Sequence, residues 1–313
     1  MKGIVVVVVT FRRLPEIVRL VRSLEASTHP VLACVVIDHD GVGEVRQALL
    51  GEGLNVRVVE DSSNPGPGAG WANGARLALA EFGENLEALW FLDDDVVIPP
   101  DSLRILLEEK AKVSAGAIAP LLSDSSGDLW AFPEPRPPTL RPVIRKAKVP
   151  RDALDLLGSE PIEFCWATGA CLLVDRGVIE RVGFHRPDFW MLGEDLEYSM
   201  RIALLREGFF TCRVVVPHLP PPASDHVAAR RSDYLKFSSL LQNLSYISFH
   251  VRGHMWRYLP GNFRRFFRTH GVSLETLRDA AVCLWSGAIG GHPSGHISGQ
   301  QVRRRYLEPE VRR

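Results

Sequence analysis

Three observations predict an α/β fold: a mostly parallel, Rossmann-like sheet flanked by helices, with a helical C-terminal extension. Short β-branched runs recur in the first hundred residues and end in polar clusters, segments of helical periodicity separate them, and beyond about residue 224 the pattern is helical. Strands alternating with helices at this spacing form βαβ units, whose crossovers make neighbouring strands parallel.

The elements follow in order. Ile4 to Val9 is an unbroken β-branched run, the mark of a strand buried on both faces. Pro15 opens a helix whose Ile17, Leu20, Val21 and Leu24 share one face. Val31 to Ile37 reads as a second strand ending in Asp38-His39-Asp40-Gly41, Glu44 to Leu50 as a short helix, and Asn55 to Val59 as a third strand. A glycine-rich turn, Asn64-Pro65-Gly66-Pro67-Gly68-Ala69-Gly70, leads into a helix over 72–82. Ala88 to Leu92 is the fourth strand and runs into Asp93-Asp94-Asp95. Seven prolines between 120 and 150 mark an irregular excursion from the sheet. Strands return at 163–166 and 170–174, helices at 176–182 and from Gly193-Glu194-Asp195, and a last strand at 214–216 ends in Pro217-His218. The expected division is a catalytic domain over 1–225 and a helical, arginine-rich region over 226–313.

At 313 residues, 46% hydrophobic and 24% charged, the chain has the composition of a soluble globular protein with a large core. Its 37 basic and 37 acidic residues cancel, which argues against a nucleic-acid binder. The cancellation is uneven: residues 251–313 carry 11 arginines against 4 acids, a net +7 that leaves −7 on the first 250. Five cysteines, an odd number without a C-x-x-C pair, argue against a zinc knuckle or a disulfide framework and fit a reducing cytoplasm. The N-terminus lacks the basic and small-residue features of a signal peptide. No apolar stretch reaches the ~20 residues needed to span a bilayer.

In parallel sheets ligands sit beyond the carboxyl ends of the strands. Here those ends carry Thr10-Phe11-Arg12-Arg13, Asp38, Asp61 and Asp93-Asp94-Asp95, so one edge gathers the polar groups. Three adjacent carboxylates repel one another, and a divalent cation bridging to phosphate oxygens compensates them; a solvated acidic turn is the other reading. Oxygen ligands favour Mg²⁺ or Mn²⁺. Arg12 and Arg13 suit a diphosphate, or form a solvated loop. Asp38 either accepts from a base imide N–H or caps a helix. The glycines at 66–70 either cradle phosphates at a helix start or make a plain turn. They form neither a P-loop nor a dinucleotide fingerprint. Glu194 and Asp195 open a helix, where the macrodipole favours acids and where a general base is also well placed. His218 is a candidate third metal ligand, or a structural histidine.

In this order the motifs resemble the inverting glycosyltransferases of family two, which have the GT-A fold. The resemblance rests on Val-Thr-Phe-Arg-Arg (9–13), Val-Ile-Asp-His-Asp-Gly (36–41), Asn64, Gly66, Gly68 and Gly70, Asp93-Asp94-Asp95, Trp166-Ala167-Thr168-Gly169-Ala170, Gly193-Glu194-Asp195 and His218. It covers about residues 4–220. The Ala131-Phe132-Pro133 segment and the Glu-Asp-Leu-Glu-Tyr helix start resemble the galactofuranosyltransferases, with rhamnosyltransferases next.

The resemblance implies roles. Asp93, Asp95 and His218 would hold Mn²⁺ or Mg²⁺, and Asp94 would lie against the donor's sugar or ribose. Thr10, Arg12, Arg13, Asp38, Asn64 and Gly68 would complete the nucleotide-sugar site. Asp195 matches the catalytic base and Glu194 would orient hydroxyls. Trp166, Thr168, Gly169 and Trp190 would contact sugar or acceptor. Two departures stand out: Arg12 replaces the usual Asn, and Pro67 interrupts the usual double glycine. The implied partners are UDP-galactofuranose and a polyprenyl-linked or other glycan acceptor, with no nucleic acid.

A sugar nucleotidyltransferase also uses paired aspartates, but its glycine-, arginine- and lysine-rich first loop is missing. A noncatalytic nucleotide-sugar or membrane-binding scaffold has no use for the intact Asp195 and Asp-x-Asp set. In the tail, Met255-Trp256-Arg257-Tyr258-Leu259 and Phe263-Arg264-Arg265-Phe266-Phe267-Arg268 interleave aromatics with arginines. That pattern suits an anionic membrane surface, a helical cap or a homodimer contact. The expected location is the cytoplasmic face of the cell membrane, peripherally bound.

Overall fold

The computed structural model describes residues 2–220, 226–251 and 258–289, leaving aside the side chains of 226–235. Met255, Trp256, Arg257 and residues 290–313 lie outside the described residues. The chain divides into two compact units. The first comprises 1–64, 70–184 and 198–221, and the second 65–69, 185–197 and 222–313.

In chain order the strands are β1 (Gly3–Thr10), β2 (Ala33–Asp38), β3 (Val56–Glu60), β4 (Leu86–Asp93), β5 (Ala117–Ser123), β6 (Leu129–Ala131), β7 (Glu134–Pro135), β8 (Ile162–Trp166), β9 (Cys171–Asp175) and β10 (Gly208–Pro217). The helices are α1 (Leu14–Glu25), α2 (Glu44–Ala48), α3 (Pro67–Phe82), α4 (Ser102–Lys112), α5 (Arg141–Ile144), α6 (Pro150–Leu157), α7 (Arg176–Val182), α8 (Glu194–Leu204), α9 (His226–Tyr246), α10 (Leu259–His270) and α11 (Leu274–Ala288).

Among the described residues all strands belong to the first unit, in the order β3-β2-β1-β4-β9-β5-β10-β8-β7, with β6 on β5. Parallel ladders run through β3-β2-β1-β4 and join β5 to β10, and they hold most of the paired residues. Antiparallel β9 links the two parallel sets by pairing with β4 and β5.

The valine run of β1 divides between two cores. Val5 and Val7 face Trp71, Ala75 and Ala78 of α3, while Ile4, Val6 and Val8 face Ile17, Leu20, Val21 and Leu24 of α1. Both faces are covered, so no polar residue interrupts the strand. Each fully buried valine stabilises the fold by roughly 1.5–3 kcal/mol over an exposed one. The approach of α3 is closer than side chains allow: a Cβ at Gly74 would lie 2.4 Å from Val7 Cγ1, and one at Gly70 2.6 Å from Val9 Cγ2.

Three local expectations change. The glycine-rich stretch is a turn only through Gly66, since α3 begins at Pro67, where a proline's missing N–H costs nothing. The region after Asp95 holds α4 and β5, both absent from the sequence reading. Pro120 concealed β5, yet it stands where the β5–β10 register shifts, between the Ala119–Phe210 and Leu121–Val215 pairs. A residue without an N–H is tolerated at such a break in the ladder.

In the second unit, Leu241, Phe266, Ala280 and Cys283 of α9, α10 and α11 form a small core with Phe237, Phe263 and Phe267 packed around it. Among the described residues no helix is long and apolar enough to cross a membrane. All five cysteines are free and buried.

Candidate active site

In the first unit, the carboxyl ends of β1, β4 and β10 converge. β1 delivers Thr10, whose Oγ1 donates to Asp94 Oδ2 at 2.7 Å. Arg13, three residues on, sends Nη1 to Asp94 Oδ1 at 2.8 Å and to Asp95 Oδ2 at 2.7 Å. β10 delivers His218, whose Nε2 lies 3.0 Å from Asp95 Oδ1. Backbone bonds hold this junction: Leu219 N donates to Asp95 O at 2.7 Å, and Val97 N to Pro217 O at 2.9 Å.

One ligand atom from each of Asp93, Asp95 and His218 falls within a 4.8 Å spread. Two carboxylates and an imidazole at that spread fit a hard or borderline divalent cation. The charges on the acids differ. Burial raises Asp94 to about 6, against the downward pull of Arg13 and the Thr10 hydrogen bond. Burial also pushes Asp95 up, but His218 and Arg13 outweigh it and hold that carboxyl below its usual range.

The sequence reading missed Trp130. Strand β6 lays its indole on the His218 ring, with centroids 3.8 Å apart and planes 19° apart, while leaving Trp130 46% exposed. It is 88 residues from His218 in sequence, and only its motif neighbour Ala131-Phe132-Pro133 signalled the region.

The loop from Trp166 to Ala170 also reaches this edge. Ala170 O accepts from Asp93 N at 3.1 Å, and Thr168 Oγ1 accepts from Ala170 N at 3.1 Å. Ser199 Oγ anchors the loop through both the N–H and the carbonyl of Ala167. Gly169 is buried and Trp166, at the end of β8, is half-buried.

Around β2, Asp38 is fully buried. Its Oδ1 accepts from Asp40 N at 3.0 Å, a local turn rather than a helix cap, while Oδ2 has no hydrogen-bond partner. An unpartnered buried carboxylate oxygen is an acceptor awaiting a donor. Asn64 Oδ1 lies 3.2 Å from Nδ1 of His39, a second buried residue the sequence reading passed over. The two arginines separate: Arg13 enters the carboxylate cluster, whereas Arg12, with φ 56°, is exposed and turns to Asp40 Oδ1 at 3.1 Å.

The remaining residues lie in the second unit. Gly66, at φ +98°, and Gly68 make room for backbone: a Cβ at Gly68 would lie 2.5 Å from Arg186 O and 2.7 Å from Phe189 O. Gly68 is thus filled by carbonyls of the 186–190 segment, which ends in a half-buried Trp190. Gly193, at φ +99°, turns the chain into α8. Asn243 Nδ2 holds that turn through Leu192 O at 2.8 Å and Met191 O at 3.3 Å. At the helix start Glu194 and Glu197 are buried, while Asp195 is half-buried, with Oδ1 accepting from Leu196 N at 2.7 Å.

A family model, glycosyl transferase family 2, matches residues 5–183. The chain belongs to glycosyl transferase family 2. The match takes in the Asp93–Asp95 cluster and the Trp166–Ala170 loop, and the fold has the mixed sheet expected of GT-A proteins.

Among curated proteins, the chain is 23% identical over 196 residues to the low-salt glycan biosynthesis hexosyltransferase Agl10 of Haloferax volcanii, covering 62% of this chain and 61% of that one. Among solved structures, S. aureus TarS 1–349 in complex with UDP-GlcNAc superposes with TM-score 0.57 at 16% identity, over 92% of this chain and 80% of that one. The mannosyltransferase PcManGT from Pyrobaculum calidifontis, in complex with GDP-Man and Mn²⁺, superposes with TM-score 0.53 at 17% identity, over 98% and 80%. These superpositions establish the shared fold. The chain spans about 61% of the length of its curated relative.

Proposed function

We propose that this chain is a metal-dependent inverting glycosyltransferase, moving a sugar from a nucleoside diphosphate donor to an acceptor hydroxyl in cell-envelope glycan synthesis. The observation that carries the reading is the convergence of Asp93, Asp95 and His218 at the carboxyl edge of the sheet. Support comes from the family match and from fold relatives that bind UDP-GlcNAc, or GDP-Man with Mn²⁺.

Asp93, Asp95 and His218 would hold Mn²⁺ or Mg²⁺, which when bound supplies Lewis-acid charge to a departing diphosphate. Arg13 is already charge-paired at the cluster and adds a guanidinium for phosphate oxygens. Thr10 fixes the Asp94 carboxyl, and Asp38 Oδ2 offers the acceptor that a base imide N–H would satisfy. In this reading Asp195, a half-buried acid at the start of α8, takes the acceptor's proton, and buried Glu194 orients hydroxyls. One displacement requires no enzyme nucleophile, so the anomeric configuration inverts.

Galactofuranose from UDP is the favoured donor sugar, rhamnose the next, and the acceptor is a polyprenyl-linked glycan at the cytoplasmic membrane face. Residues 1–225 carry the catalysis in this reading, and 226–313 serve the acceptor or membrane side.

A panel of nucleotide sugars, including UDP-galactofuranose and dTDP-rhamnose, tests the proposal through Mn²⁺-dependent nucleotide release with a polyprenyl-linked acceptor. One donor should stand out, and EDTA should silence it until Mn²⁺ is restored. Full activity after chelation would refute the metal role. Asp195→Asn should lower transfer by about 10²–10⁴ while leaving nucleotide binding intact.

A further inference from the structure

Helix α11 is inverted relative to a helix of a water-soluble core. Its inward face is small and polar: Thr276, Asp279, Ala280, Cys283, Ser286 and Gly287 are the buried residues. A Cβ at Gly287 would lie 2.2 Å from Gln242 O, and Ser245 Oγ donates to Leu284 O at 2.7 Å, so α9 and α11 touch nearly backbone to backbone. Several large apolar side chains point outward instead. Leu274 is 89% exposed, Trp285 68%, Ile289 46% and Leu277 45%, and exposed Ala281 lies between them.

At helical spacing, residues 274, 277, 281 and 285 form one stripe. The stripe has apolar neighbours at both ends. Val272, 72% exposed, precedes the helix, and Phe249, 67% exposed, adjoins His250, whose Nε2 meets Ala288 O at 3.0 Å. A continuous exposed apolar strip of this kind marks a contact surface.

Charge selects the contact. Helix α10, joined to α11 by three residues, carries Arg264, Arg265 and Arg268, all exposed, and no acid. A second copy of this chain would bring that basic helix against its own like. An anionic lipid surface instead complements it, and a Trp-centred apolar strip beside arginines is what the headgroup–acyl boundary accepts. At 15 residues α11 is suited to lie in that boundary rather than cross it.

We propose that the outward face of α11, centred on Trp285, is the surface by which this chain lies on an anionic bilayer. The proposal deepens the reading of a lipid-linked acceptor and rests on it.

The test is co-sedimentation of the full chain with phosphatidylcholine vesicles, with and without phosphatidylglycerol, beside nucleotide release measured in vesicle-free solution. The wild-type chain should sediment with the anionic vesicles. Trp285→Glu should cut that binding by at least about tenfold, the effect of withdrawing one large apolar side chain from burial. The milder Trp285→Ser should do the same, and neither should alter nucleotide release. Arg264→Gln with Arg268→Gln should weaken binding and flatten its salt dependence. Equal sedimentation of wild type and Trp285 variants would overturn the proposal, as would equal binding to neutral vesicles. A wild-type dimer that Trp285→Glu dissociates, without vesicle binding, would assign the face to a second copy. If vesicle binding follows the α11 variants but no donor is turned over, the transferase reading fails while the membrane surface stands.

Discussion

The sheet edge at Asp93–Asp95 and the outer face of α11 break the burial rule in opposite directions. At the first, Asp94, Asp95 and His218 are almost wholly buried. At the second, leucines and a tryptophan stand in solvent. Exposed apolar atoms are common singly, and buried charges are rare unless paired, so a cluster of either kind carries information. The buried acids are held by Thr10 and Arg13 from the end of β1 and by His218 from the end of β10, two segments far apart in the chain, which is the construction of a site whose geometry must not drift. The α11 strip leaves Leu274 and Trp285 mostly in solvent, as the proposed docking face requires.

The comparison breaks most sharply at Asp95. Asp95→Asn removes the charge that meets both Arg13 and His218, and should lower Mn²⁺-supported nucleotide release by about 10²–10³, the range for losing one electrostatic group at a reacting centre. Calorimetric Mn²⁺ titration should show weakened binding in step. Near-wild-type release would mean that the cluster is only a structural ion network.

A smaller effect is expected one layer out. Trp130→Ala leaves the proposed ligands Asp93, Asp95 and His218 whole but removes the plane on which the His218 ring rests, so Mn²⁺ affinity or activity should fall by about 10–100-fold. Trp130→Phe should recover much of the loss by restoring a flat face. If the alanine variant binds Mn²⁺ normally yet loses donor affinity, Trp130 serves the sugar rather than the imidazole.

The smallest effect belongs to the other region. Trp285→Glu should shift the free energy of unfolding in solution by no more than about 0.5 kcal/mol, as for surface substitutions generally. A large fall in Tm would show that Trp285 packs inside the protein in solution and would dissolve the contrast.

Much of the first region was legible early. The continuous run Ile4–Val9 announced a strand buried on both faces, and Ile17, Leu20, Val21 and Leu24 proved to be the buried face of α1. Asp93–Asp95 declared itself because three neighbouring carboxylates need compensation wherever they sit. Other parts were hidden for identifiable reasons. Pro120 read as a breaker, since the register shift that excuses it belongs to β10, some ninety residues away. That the glycines at 66 and 68 make room for carbonyls of residues 186–190 was not legible, because those residues lie more than a hundred positions away. The arginines of the tail were conspicuous, while the inversion of α11 was not, because periodicity shows that a helix has two faces without showing which one is covered.

The sequence by itself determined the alternation of strand and helix, the strand ends on which polar residues cluster, and the opposition of an acidic first part to a basic last part. These follow from local periodicity and composition, which need no knowledge of neighbours. Only the tertiary structure decided which arginine joins the carboxylates, that Trp130 lies on His218, and that α11 turns its large side chains outward. Each is a choice among side chains with equal local propensity, made by contacts between segments far apart in the chain.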